Sequence, residues 1–67
     1  MKVSLKAARV NRNMSQEDAA KRLNVSKSTV SKWERGIAIP NVKQIPKIEQ
    51  VYGVCYDDII FLHSNNA

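Results

Sequence analysis

Apolar residues along this chain return every three or four positions and almost never alternate, so the pattern predicts helices and no strand. The first helix is predicted over Lys2 to Asn13, with Leu5, Ala8, Arg9 and Arg12 on one face. The second begins at Ser15, an N-cap followed by Gln16, Glu17 and Asp18, which place acids at the positive end of the helix dipole. Its apolar arc is Ala19, Ala20 and Leu23, and Asn24, which tolerates the left-handed conformation, is expected to end it.

The third helix is predicted from the N-cap Ser26 to just before Gly36. At about 100° per residue, Lys27, Ser28, Ser31, Lys32 and Arg35 fall on one arc, and Thr29, Val30 and Trp33 on the other. Only "NVS" separates this helix from the one before it. So short a connection forces two helices to cross steeply, the geometry of a helix-turn-helix. Ala20 supplies the small residue where the axes approach, Asn24 the turn, and Ala19, Leu23, Val25, Val30 and Trp33 the apolar corner.

A fourth helix is predicted from about Ile45 to Tyr52, after a tighter first turn in which Asn41 and Gln44 resemble a capping box and Pro46 removes an N–H. Gly53 ends it. A short fifth helix is predicted over Tyr56 to Leu62, opened by Asp57 and Asp58 but poorly capped by Cys55. The fold class is thus all-α, a compact five-helix bundle over residues 1–62 with a frayed polar tail at 63–67.

Length and charge narrow the function. With 67 residues and one cysteine, the chain forms a single small domain with no internal disulfide. Residues 1–36 hold nine basic and three acidic side chains, a net of +6, whereas residues 37–67 hold two and three, a net of −1. The positive charge shares the half that holds the turn, which favours a polyanionic partner. No long apolar run or leader pattern is present, and a cytoplasmic location is expected. One histidine and one cysteine do not assemble a nucleophile, base and orienting group, so no enzymatic activity is expected; nor is a metal, a cofactor or a small-molecule ligand.

The stretch "SQEDAAKRLNVSKSTVSKWERG", followed by a proline and "YGVCYDDI", resembles the helix-turn-helix domain of phage Cro and CI-type (XRE-like) repressors over about residues 3 to 62. The resemblance implies a repressor whose third helix enters the major groove of double-stranded DNA, acting as a homodimer on a pseudo-palindromic operator. It implies that Lys27, Ser28 and Lys32, with Ser31 beside them, touch base edges, and that Gln16 contacts a phosphate. Ser26 is placed within reach of bases or phosphates. Arg9 matches an arginine that pairs with a glutamate near the end of the third helix, here Glu34, which accounts for a charge on the apolar side of the first helix.

Two departures from the family pattern bear on binding. The loop after the third helix reads Ile37, Ala38, Ile39 rather than polar and basic, so Arg35 and Lys43 are expected to take over phosphate contact there. Asn24 stands where a glycine is usual. Lys2, Lys6, Arg12, Lys21 and Arg22 are expected to be solvated, with one or two adding a salt-sensitive phosphate contact. Cys55 is expected to be a semi-buried filler. Ile37, Ile39, Val54, Phe61 and Leu62 exceed the needs of a small core, and are expected either to cap it or to form a two-fold dimer contact, the choice that the resemblance favours. Two alternatives remain: the DNA-binding antitoxin of a toxin–antitoxin pair, for which the short tail leaves little chain to wrap a toxin, and a helical module whose basic arc binds an acidic protein.

Overall fold

Four α-helices make up about half of the chain in the computed structural model, which describes residues 2–61: α1 (Leu5–Asn11), α2 (Gln16–Leu23), α3 (Lys27–Arg35) and α4 (Ile45–Tyr52). Each starts or stops where short-range chemistry demands. The Ser4 hydroxyl accepts the Ala7 N–H at 3.0 Å and opens α1. Ser15 and Asp18 cap α2 reciprocally, the hydroxyl taking the Asp18 N–H at 3.0 Å and the carboxylate taking the Ser15 N–H at 2.9 Å. The Ser15 N–H, with the Ser15 hydroxyl adding to it, holds the Asp18 carboxyl below its usual range.

Asn24, at φ +59°, ends α2 as expected, and Val25 then donates its N–H to the Ala20 carbonyl at 3.0 Å to close the corner. Asn41 and Gln44 form the expected capping box, but around a separate 3₁₀ turn (Val42–Gln44) that leads into α4. Pro46 then falls in the first turn of α4, where an N–H has no intrahelical partner to lose. Gly53 closes α4 at φ +68°, and a Cβ there would lie 2.7 Å from Nη1 of Arg12. The left-handed φ is what calls for glycine here, since the exposed end of Arg12 can move aside.

Several expectations are corrected. The first helix starts at Leu5, not Lys2, because Val3–Ser4 is a strand (β1) paired in parallel with Ile59–Ile60 (β2), Val3 opposite Ile59 and Ser4 opposite Ile60. Two residues are too few to show an alternating pattern, and the pairing is fixed by tertiary proximity; the Lys2 ammonium also reaches the Asp57 carbonyl at 2.8 Å. The fifth helix is instead a single 3₁₀ turn (Tyr56–Asp58) running into β2; its expected end at Leu62 lies outside the described residues.

Cys55 is exposed rather than a filler. Its side chain makes no cap, and the Glu49 carboxylate takes over by accepting the Tyr56 N–H at 2.7 Å. Arg12 is an exposed C-cap residue, turned out where α1 stops.

The core lies where α1, α2, α3 and α4 converge. Ala19, Val30 and Ile48 are fully buried, with Leu5, Trp33 and Tyr52 nearly so. Val25 and Ala38 pack against this cluster from the two loops flanking α3. Tyr52 is the anomaly, since its hydroxyl is buried without a hydrogen-bond partner among the described residues. Burial, with the nearby Glu34 carboxylate adding to it, pushes the phenol up to about 12.

An unsatisfied buried hydroxyl costs about 1–3 kcal/mol, so Tyr52→Phe is expected to stabilise the fold by about 1 kcal/mol, measured by denaturant unfolding. In the native chain the phenol keeps its proton to about pH 12, whereas unfolded tyrosine ionises near pH 10, so stability should fall across that window. The variant should lack that component. Parallel alkaline losses in the two proteins would contradict the burial of the hydroxyl.

Candidate nucleic-acid interface

α3 separates its side chains by face. Val30, Trp33 and Glu34 are buried, whereas Lys27, Ser28, Lys32 and Arg35 are exposed and Ser31 is partly so. The structure therefore brings all four expected base-contacting residues, Lys27, Ser28, Ser31 and Lys32, onto one accessible arc. Among the described residues, no side-chain hydrogen bond or ion pair engages Ser28, Ser31, Lys32 or Arg35. Helix termini hold this arc in register. The Ser26 hydroxyl accepts the Thr29 N–H at 3.1 Å, and Gly36, at φ +76°, lets Ile37 donate back to the Lys32 carbonyl at 3.0 Å.

Two expected contact residues at the start of α3 are already engaged. The Ser26 hydroxyl is occupied by its cap and by Thr29 Oγ1 at 2.8 Å, which leaves little for an outside acceptor. Lys27 Nζ lies 3.8 Å from Glu17 Oε1 at the start of α2, and both side chains are exposed. Such a pair is worth at most about 1 kcal/mol and yields readily to a phosphate or base. The pair has no local signature in the sequence, because the turn between α2 and α3 is what brings residues ten positions apart together. Lys43 is exposed on the 3₁₀ turn before α4.

The expected ion pair between Arg9 and Glu34 is formed. Nε of Arg9 donates to Oε2 of Glu34 at 2.7 Å and Nη2 to Oε1 at 3.1 Å, with both residues buried. Nη1 donates to the Met14 carbonyl at 2.9 Å, so one guanidinium joins α1, the entrance to α2 and the end of α3. Hydrogen bonding to Glu34 raises the Arg9 pKa above its usual value against the opposing effect of burial. Glu34 has a second donor that the sequence pattern did not reveal: Nε2 of the half-buried Gln16 reaches Oε1 at 3.1 Å.

The residues expected at a dimer contact divide. Ile37 and Ile39 are exposed, at 56% and 58%. Val54 and Phe61 are partly buried against the core of their own chain, and Phe61 also stacks obliquely on Tyr56 with ring centroids 5.7 Å apart. Leu62 lies outside the described residues. Val42, at 86%, and Tyr56, at 48%, are exposed apolar side chains that the pattern did not single out. Val42 and Tyr56 line an apolar groove with Ile45 and Pro46. Among the described residues, no helix is long and apolar enough to cross a membrane, and no group of three or more His, Cys, Asp or Glu is placed to hold a metal ion.

A three-residue bend, a buried apolar corner and a second helix with an exposed cationic arc define a helix-turn-helix domain. A helix-turn-helix family model matches residues 5–59, and the chain belongs to that family, in the XRE-type branch expected from its sequence. It is similar to an HTH-type transcriptional regulator of Methanocaldococcus jannaschii, 42% identical over 59 residues that cover 88% of this chain and 89% of the relative. It is also similar to the HTH-type transcriptional activator BcrR of Enterococcus faecalis, 34% identical over 56 residues. A third relative is Multiprotein-bridging factor 1c of Arabidopsis thaliana, 37% identical over 54 residues. The matches cover 84% and 81% of this chain, but only 28% of the activator and 36% of the bridging factor.

Removing one partner of the buried pair strands a charge. Arg9→Ala or Glu34→Ala is therefore expected to cost roughly 3–5 kcal/mol in denaturant unfolding. The joint replacement Arg9→Met/Glu34→Leu, which leaves no buried charge, should cost far less than either. A double variant as unstable as the sum of the singles would contradict the reading of this pair as coupled.

Proposed function

We propose that this helix-turn-helix protein, a DNA-binding transcriptional regulator, recognises specific double-stranded operator sequences by laying α3 in the major groove. The observation that carries this reading is the arc of Ser28, Ser31 and Lys32, accessible and unengaged among the described residues while Val30 and Trp33 anchor the helix from behind. Lysines donate to guanine O6 and N7, and serines bond to several bases. Lys27, Ser28, Ser31 and Lys32 are the base-reading set. Gln16, Arg35, Lys43 and the backbone around Ser26 meet phosphates.

The protein acts as a homodimer on a pseudo-palindromic site, its two α3 helices about one helical turn of DNA apart. The exposed Ile37 and Ile39 support an apolar contact between copies. Repression by occupying promoter DNA is the proposed outcome. Because one relative is named as an activator, the direction of regulation is decided by where the operator lies relative to the polymerase site.

Selection from random duplexes with the purified protein tests this reading. An enriched, two-fold related pair of half-sites is expected, with affinity that falls steeply with salt. No enrichment, or binding with no salt dependence, would overturn it in favour of a module that binds protein. On the enriched duplex, Lys32→Ala is expected to cost about 1–3 kcal/mol and to relax preference at one base position. Equal weakening on every sequence would make Lys32 a phosphate contact instead.

A further inference from the structure

We propose that Glu34 is a positioning residue for DNA contact, acting through Gln16 rather than touching DNA itself. This rests on the reading of Gln16 as a DNA contact. Gln16 is the first residue of α2, and its Nε2 lies 3.1 Å from Oε1 of Glu34 near the far end of α3. An ionised carboxylate only accepts hydrogen bonds, so the amide nitrogen, and not its oxygen, turns toward Glu34. The flipped orientation would set two acceptors against each other.

One N–H of the Gln16 amide is therefore used inside the protein. The second N–H and the carbonyl oxygen have no partner among the described residues, and they form a donor–acceptor pair of fixed order. The donor suits a phosphate oxygen, and donor and acceptor together match N7 and the N6 amino group of adenine.

The orienting carboxylate is itself held. Arg9 grips both Glu34 oxygens, Nε to Oε2 at 2.7 Å and Nη2 to Oε1 at 3.1 Å. The same guanidinium donates through Nη1 to the carbonyl of Met14, two residues before Gln16, at 2.9 Å. Arg9 thus fixes both the carboxylate that aims the amide and the backbone that carries it. The buried pair contributes to DNA affinity as well as to stability, by pre-orienting a side chain on a different helix.

A double-mutant cycle on DNA affinity separates this from a purely structural role. The enriched duplex is titrated, at one fixed salt concentration, with the native protein, Gln16→Ala, Arg9→Met/Glu34→Leu and the combination of all three substitutions. Arg9→Gln/Glu34→Gln, which also leaves no buried charge but lets the amide at position 16 flip, provides a second background if the apolar pair fails to fold. Gln16→Ala is expected to weaken binding roughly five- to ten-fold in the native protein and less than two-fold in either background lacking the carboxylate.

The same loss from Gln16→Ala in all backgrounds would overturn the positioning role. So would a Gln16→Ala variant that binds like the native protein while Lys32→Ala is impaired, although DNA recognition by α3 would then stand. Failure to enrich any duplex would overturn the DNA reading itself, and this inference with it.

Discussion

A single guanidinium ties together the three segments on which the rest of the structure depends. Arg9 sits on the core-facing side of α1, where a charge left alone would be costly, and it is offset only because Glu34 and the Met14 carbonyl meet it with good geometry. A longer apolar side chain could fill the same space. It could not set an angle. The fork of Arg9 accepts one arrangement of α3 relative to the entrance of α2, and that arrangement decides which way the helix turns its outer arc.

The division of α3 follows from this constraint together with ordinary packing. Trp33 and Val30 bury one face against the core, Glu34 is held beneath it, and the remaining positions have nowhere to go but solvent. Lysines and serines suit that face because their heads prefer water until a better acceptor arrives. The weak pair between Lys27 and Glu17 is the kind of contact that can be exchanged for a phosphate at little cost. The core supplies rigidity, and the surface stays uncommitted.

Much of this was legible because its causes are local. Ser15, Asn24, Ser26, Gly36, Asn41 with Gln44, and Gly53 each act within a few residues of themselves, and each boundary falls where those side chains demand it. The family resemblance supplied the partner of Arg9, which spacing alone could not. What was missed depends on residues far apart in the chain. The pairing of Val3 with Ile59 and the reach of Gln16 to Glu34 have no local signature. The expected fifth helix failed for the same reason, since Ile59 and Ile60 are taken up by β1 and leave only one 3₁₀ turn before them. Exposure in the loops was also poorly legible: Cys55 and Val42 are outside because of how α4 is approached and left, not because of their polarity.

The orientation of α3 is the claim on which everything functional rests, and amide NMR during titration with the enriched duplex tests it most directly. The largest shifts are expected at Lys27, Ser28, Ser31 and Lys32 and at Gln16, with Val30 and the Trp33 indole nearly unmoved. Dominant shifts on α1 and α4, with the outer arc of α3 silent, would contradict it.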